Sequence, residues 1–284
     1  MNHLAPTVGN AQLYSPTAAP TFFDGHSPSK LAVLSTHSAV TLFQPLTDGF
    51  ARRLTYFRLS ITDFCNFRCE YCLPNGYQGK PPQDELSVTE IATLICGFAQ
   101  VGTKKVRITG GEPSIRRDLV EIIKTVKNTE GIETVAMTSN GYKLGKHLAD
   151  WHTAGLNQLN ISMDSFDAAT FHKMTGFDML PQLLADMDTL LATTDIKLKI
   201  NSILMAETAF ENLMNAIDYV KDRAVTYRFI EFMQTSDNSD LFFAQHAQSD
   251  TIIDYLLAHG WQPNERGHAD GPAVESSHPD YVGR

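Results

Sequence analysis

Cysteine is scarce in this chain of 284 residues: there are four, Cys65, Cys69, Cys72 and Cys96, and three of them share one short loop. That is too few and too clustered for the disulfide framework of a secreted protein, so a reducing, cytoplasmic compartment is expected. Basic charge is also short. Lys and Arg number 23 against 32 Asp and Glu, a formal net charge of -9, which argues against sequence-independent nucleic-acid binding. No apolar run approaches the length that spans a bilayer, so no membrane partner is expected. The first basic residue is Lys30 and the first Arg is Arg52, so neither a signal-peptide n-region nor an Arg-rich transit pattern is present. Neither G-x4-G-K-[ST] nor G-x-G-x-x-G occurs, which removes the usual loop evidence for nucleotide binding. The ten histidines form no spaced ligand set, and His147, His152 and His172 read as helix-surface residues.

Residues 1–46 carry Pro6, Pro16, Pro20, Pro28 and Pro45 among Ser, Thr and Ala without a sustained period, which predicts a flexible N-terminal extension. From Leu54 onward, short β-branched or aromatic runs alternate with helical periods, the pattern of β/α units on a parallel sheet. Six strands are expected, at Thr55–Ile61, Lys105–Thr109, Glu133–Thr138, Gln158–Met163, Lys197–Ile203 and Val225–Glu231. Ser87 and Glu90 make a capping box ahead of the stripe Ile91, Leu94, Ile95 and Phe98, and 117–129, 179–193 and 208–221 also read as helices. Several strands have an unusually polar face: Arg58 and Ser60 oppose Phe57, Leu59 and Ile61, while Lys197, Lys199 and Asn201 oppose Leu198 and Ile200. A parallel sheet covered on both faces would read as nearly continuous apolar runs, so one face lines a wet interior. The expected fold is α/β, a partial (β/α)6 TIM-type barrel, open on one side and occupying 47–235, with 236–284 beginning a C-terminal region.

Cys65, Cys69 and Cys72 form a C-x3-C-x2-C loop directly after the first strand, where barrel active sites lie. Three thiolates cannot saturate a four-iron cubane, and the iron left free is available to a cofactor or substrate. Structural zinc is the bland alternative; it wants four closed ligands and no second cysteine pair is present, so only a distant His completing a Cys3His site would supply the set. Cys96 lies off the apolar stripe of its helix and reads as a small, unreactive packing residue.

Gly110-Gly111-Glu112-Pro113 follows the second strand, where paired glycines let the backbone approach a ligand closely. Alone that is ordinary turn chemistry, and the neighbouring cysteine loop lifts it. Arg58, Arg107 and Lys199 stand in three strands; lone basic residues there are more often solvent-facing, but on a barrel interior they converge on a polyanion. Placement on the outer face would remove that argument.

Arg58-Leu59-Ser60-Ile61-Thr62-Asp63 ahead of the three cysteines closely resembles the GTP 3',8-cyclase family, the first enzymes of molybdenum cofactor biosynthesis. The match continues through Val106 to Ser114, Thr138 to Gly141, Asn160 to Ser165 and Arg228 to Met233, and it covers about 47–284. The resemblance implies a radical S-adenosylmethionine lyase with a [4Fe-4S] cluster on Cys65, Cys69 and Cys72, its fourth iron chelated by S-adenosylmethionine. It places Tyr71, Gly111, Ser162 and Met233 at the cofactor, and Arg58, Arg107, Thr138 and Lys199 at GTP. The implied reaction uses a 5'-deoxyadenosyl radical to take hydrogen from C3' of GTP, after which that carbon joins C8 of guanine. A flavodoxin-type electron donor and the next pathway enzyme, cyclic pyranopterin monophosphate synthase, are the implied partners. A homodimer is compatible with the sequence but not specified by it.

The chain departs from the family in one respect: no cysteine follows Cys72 except Cys96, whereas family members carry a second set near the C-terminus for a second cluster, and a Gly-Gly tail. The expectation is a C-terminally truncated member that binds one cluster and has weak or no cyclase activity. Its rivals are a radical S-adenosylmethionine enzyme with another substrate, against which Arg58, Arg107 and Lys199 speak, and a non-catalytic iron-sulfur protein.

Overall fold

Period-two alternation and β-branched content put strands where the sequence predicts them, each within one residue at either end: β1 Tyr56–Ser60, β2 Lys105–Thr109, β3 Thr134–Ser139, β4 Gln158–Ser162, β5 Lys197–Leu204 and β6 Val225–Glu231. The computed structural model describes residues 44–80, 84–235, 238–265 and 273–284. Of the expected extension, 1–43 therefore lies outside the described residues; Leu46 is bonded through its N–H to the Val101 carbonyl at 2.8 Å.

Helices return the chain between strands: α1 Val88–Gln100, α2 Leu119–Asn128, α3 Leu144–Thr153, α4 Ala168–Thr175, α5 Leu180–Thr193 and α6 Ala209–Lys221, followed by α7 Ser239–Gln245 and α8 Asp250–Ala258. The capping box of α1 is formed, with Glu90 N–H donating to Ser87 Oγ at 3.3 Å and Ser87 N–H to Glu90 Oε2 at 2.8 Å. Such a cap contributes about 1 kcal/mol. It starts a helix that buries Ile91 and Ile95 completely. Cys96 corrects the sequence reading: it is exposed, and its sulfur meets Gln100 Nε2 at 3.6 Å rather than packing in a core. Being off the stripe of an amphipathic helix places it in solvent.

The six strands make one parallel sheet in the order β1-β2-β3-β4-β5-β6, an open partial barrel. One face packs on the helices, and Leu59, Val106, Ile108, Val135, Met137, Leu159, Ile161, Leu198 and Ile200 are buried there. The other face carries the polar positions. At the free edge of β6, Arg284 N–H donates to Val225 O at 2.9 Å and Tyr227 N–H to Arg284 O at 2.7 Å, so the last residue pairs alongside the strand. Among the described residues no helix is long and apolar enough to cross a membrane.

Candidate active site

The cysteine loop has no regular structure of its own, and contacts from four neighbouring segments fix it. The turn after β2 docks first: Gly111 N–H donates to Thr62 O at 2.7 Å and Glu112 N–H to Phe64 O at 2.8 Å. A Cβ on Gly111 would run into the Phe64 carbonyl, and one on Gly110, whose φ is +149°, into Thr62 O. The two glycines therefore let this turn lie against the backbone that leads into Cys65.

Glu112, 1% exposed, accepts from Ser114 N–H at 2.9 Å, Ser139 Oγ at 2.8 Å and Asn140 N–H at 2.6 Å. Burial pushes its pKa up, and those three donors oppose the shift. Asn140 Oδ1 accepts from Tyr142 N–H at 3.0 Å, which turns Nδ2 to donate to Asn66 Oδ1, within the cysteine loop, at 3.0 Å. The C-terminal end of α4 supplies the third clamp, since Thr175 O accepts from Arg68 N–H at 3.0 Å and Met174 O from Glu70 N–H at 3.1 Å. Phe67 anchors the loop in the core, stacked on Phe177 at 4.7 Å between ring centroids.

Tyr71 makes the deepest attachment. Its hydroxyl donates to Asp164 Oδ2 at 2.6 Å, while Asp164 Oδ1 accepts from Ile203 N–H at 2.7 Å. Burial raises Asp164 to about 6 against both hydrogen bonds, and the same burial pushes Tyr71 well above the usual phenol value.

Cys65 and Cys69 are half-buried and Cys72 is exposed. Burial raises all three thiols; Cys69 reaches about 12, with Asp164, Cys65 and Cys72 adding to the rise and a bond from Tyr71 opposing it. Among the described residues no three His, Cys, Asp or Glu side chains converge on one ion position. Iron-sulfur clusters are held by Cys thiolates, the donor type that this loop supplies. Three neighbouring thiols on one clamped loop fit the cluster.

Below the loop, strand register decides which side chains share the polar face. Arg58 stands opposite Arg107, Arg107 opposite Ala136, Ala136 opposite Gln158, and Gln158 opposite Lys197. One step up, Thr138, Asn160, Lys199 and Thr226 form a second row, and Ser162, Asn201 and Arg228 a third. Arg58, Arg107, Thr138, Ser162 and Lys199, chosen from sequence, thus stand on one face, turned away from the helices.

Arg107 is buried and held on three sides. Its Nε donates to Tyr56 Oη at 2.8 Å, and its Nη1 donates to Thr138 Oγ1 at 3.2 Å and to Met137 O at 3.4 Å. Two cations on this face were missed in the sequence. Lys105 donates to Gln158 Oε1 at 2.7 Å, and its pKa falls to about 8 through burial and then repulsion from Arg107, Lys199, Arg228 and Lys197. Arg228 is the other, and after burial it is the largest influence lowering Lys199. Lys105 keeps the parity of Arg107 and Arg228 that of Thr226, which was the available signal. Asp164, Asn66 and Asn140 had no such signal, because their roles depend on contacts 93, 74 and 28 residues away along the chain. Gly111 lies at the turn beneath the loop, while Met233 follows β6 and is 76% exposed.

A thiol loop at the C-terminal ends of the strands, above a cationic wall, is matched by comparison with known proteins. The Radical SAM superfamily model matches residues 59–227. The chain is 46% identical over 240 residues to the GTP 3',8-cyclase of Pectobacterium atrosepticum, covering 84% of this chain and 73% of that protein. The chain belongs to the GTP 3',8-cyclase family of the radical SAM superfamily. The GTP 3',8-cyclase of Cronobacter sakazakii is 45% identical over the same shares. Among solved structures, Streptococcus suis SuiB bound to S-adenosylmethionine is 12% identical with a TM-score of 0.56, covering 72% of this chain and 48% of that one. That likeness concerns the fold alone. Family membership makes the chain a radical S-adenosylmethionine enzyme, with S-adenosylmethionine and a [4Fe-4S] cluster as its general cofactors.

Proposed function

We propose that this chain carries out the reaction of its relatives, conversion of GTP to 3',8-cyclo-7,8-dihydroguanosine 5'-triphosphate in molybdenum cofactor biosynthesis. The observation that carries the reading is the juxtaposition on one sheet of the three-thiol loop with a file of cations, in a protein whose net charge is -9. A polyanion has little reason to approach such a chain except at that face.

In this reading Cys65, Cys69 and Cys72 hold the cluster, and Tyr71, Gly111, Ser162 and Met233 surround S-adenosylmethionine. Together these groups supply, when bound, an organic radical able to abstract hydrogen from a ribose carbon. Arg58, Arg107 and Lys199, joined by Lys105 and Arg228, hold the triphosphate along the wall, so that the sugar and base point toward the thiols. Arg107, with Nε and Nη1 already engaged, presents its remaining N–H groups to phosphate in a fixed orientation. Thr138 steadies that guanidinium and shares its row with Lys199.

The barrel proper is assigned to 47–235 and the start of a C-terminal region to 236–284, in a cytoplasmic protein reduced by a flavodoxin-type donor and feeding cyclic pyranopterin monophosphate synthase. The decisive test is anaerobic reconstitution followed by addition of S-adenosylmethionine, reductant and GTP. Formation of 5'-deoxyadenosine is expected, with GTP-dependent appearance of the cyclised nucleotide weak because the cysteines provide for a single cluster. 5'-Deoxyadenosine formed with GTP neither bound nor consumed would favour another substrate, and no 5'-deoxyadenosine at all would favour a non-catalytic iron-sulfur protein. Iron analysis separately tests the single cluster expected from the three cysteines.

A further inference from the structure

Asn238 precedes the first residue of α7, a position where an Asn side-chain oxygen ordinarily accepts from a helix N–H two or three residues on. Here it makes no such bond. The Oδ1 faces the opposite way and accepts from Thr235 N–H at 2.7 Å. That contact fixes the amide orientation, since only the oxygen can receive an N–H. The amino group is consequently directed at two main-chain carbonyls, Tyr71 O at 3.3 Å and Met233 O at 3.3 Å. The residue is 7% exposed, so these bonds form away from water, and the first joins positions 167 residues apart.

The consequence is a built acceptor edge. One carbonyl belongs to Tyr71, the residue directly before Cys72, and the other to Met233, whose side chain is exposed. Each carbonyl oxygen has a second lone pair available after accepting from Asn238. A flat ligand with an exocyclic amino group fits such an edge, and a thioether alongside suits its aromatic face. We propose that Asn238 is a positioning residue for the nucleobase of S-adenosylmethionine, holding the Tyr71 and Met233 carbonyls at the spacing that receives the adenine amino group. The inference rests on the cofactor assignment of Tyr71 and Met233 made above. It adds the element that brings the two together, at the cost of a helix cap.

Asn238→Asp retains the oxygen that serves Thr235 N–H and is itself a good helix cap, but it sets a carboxylate against two carbonyls. Binding of S-adenosylmethionine and of its 6-oxo analogue, S-inosylmethionine, is measured on the reconstituted protein, with iron content and thermal midpoint recorded alongside. The expected result is at least a tenfold loss of S-adenosylmethionine affinity and loss of the wild-type preference for the amino over the oxo compound, with iron content unchanged. Wild-type affinity in the Asp variant, or equal proportional losses for both compounds, would overturn the proposal, because a helix-start role requires nothing of the base. Where the Asp variant takes up no iron, Asn238→Ser is read by the same criteria. Failure of the wild-type protein to bind S-adenosylmethionine would instead remove the cofactor assignment itself.

Discussion

The cysteine loop and the cationic wall of the sheet lie next to each other but are built in different ways. The wall is regular: register and period two put Arg58, Arg107, Lys199 and Arg228 on one face, and each strand would point its side chains that way with almost any neighbours. The loop is irregular, and its shape is set by bonds from the β2 turn, Asn140, α4 and Asp164. The difference teaches that damage should remain local in the wall and spread in the loop. A lost cation there weakens one ligand contact, whereas a lost tether moves ligating atoms.

Removing a thiol gives the largest expected effect. Cys69→Ala should abolish bound iron and reduce 5'-deoxyadenosine formation to background, while GTP binding measured by equilibrium dialysis remains. A parallel loss of GTP binding would show that the two regions are not separable.

Arg107→Leu comes next. Charged hydrogen bonds contribute about 1.5–3 kcal/mol each, so the KM for GTP should rise by roughly 10- to 100-fold. S-Adenosylmethionine affinity and iron content should hold. A fall in iron content in this variant would break the comparison from the other side.

Tyr71→Phe tests spreading within the loop. Asp164, 4% exposed, would keep Ile203 N–H but lose its shorter bond. A buried acceptor deprived of a partner costs about 1–3 kcal/mol, to be read from urea unfolding. The same substitution should lower cluster occupancy, a consequence that no wall substitution shares.

The smallest expected effect is the pH response of Lys105. With its pKa lowered to about 8, this ammonium loses its proton in the folded protein as pH rises through 8, while the unfolded chain keeps it up to about 10.5. The folded state then binds fewer protons, so this group makes stability rise with pH between those values. GTP affinity should move the other way, declining by less than about tenfold from pH 7 to 9 as the wall loses a charge. Lys105→Met should flatten that decline and raise the thermal midpoint at pH 7, since it removes a cation repelled by Arg107 and Lys199.

Much of this was legible in sequence because its causes are local. All six strands of the parallel sheet were found, though not the two-residue antiparallel pair Gln262–Pro263 and Ser276–Ser277, and Arg58, Arg107, Thr138, Ser162 and Lys199 share a face because alternation decides facing. α1 was legible for the same reason, its cap and stripe lying within a few residues of each other. Other features were harder to read. The short helices α7 and α8 have too few turns to establish a period. Cys96 was expected to pack and is exposed, because helix phase says which side a residue is on but not what lies beyond it. The glycine pair was singled out for closeness to a ligand, and the backbone that it approaches in the fold is that of the cysteine loop.

The sequence by itself determined the donor set and the charge pattern: three thiols in one loop, and cations at matching parity in separate strands. These depend on covalent spacing and side-chain period, which hold before any long-range contact forms. Only the tertiary structure decided that Asp164 would hold Tyr71, that Asn140 would orient Asn66, and that Asn238 would reach back to Tyr71. The physical reason is the short range of hydrogen bonds, whose partners, separated in sequence by dozens of residues or more, are chosen only once the strands have brought the chain's distant turns to the same end of the sheet.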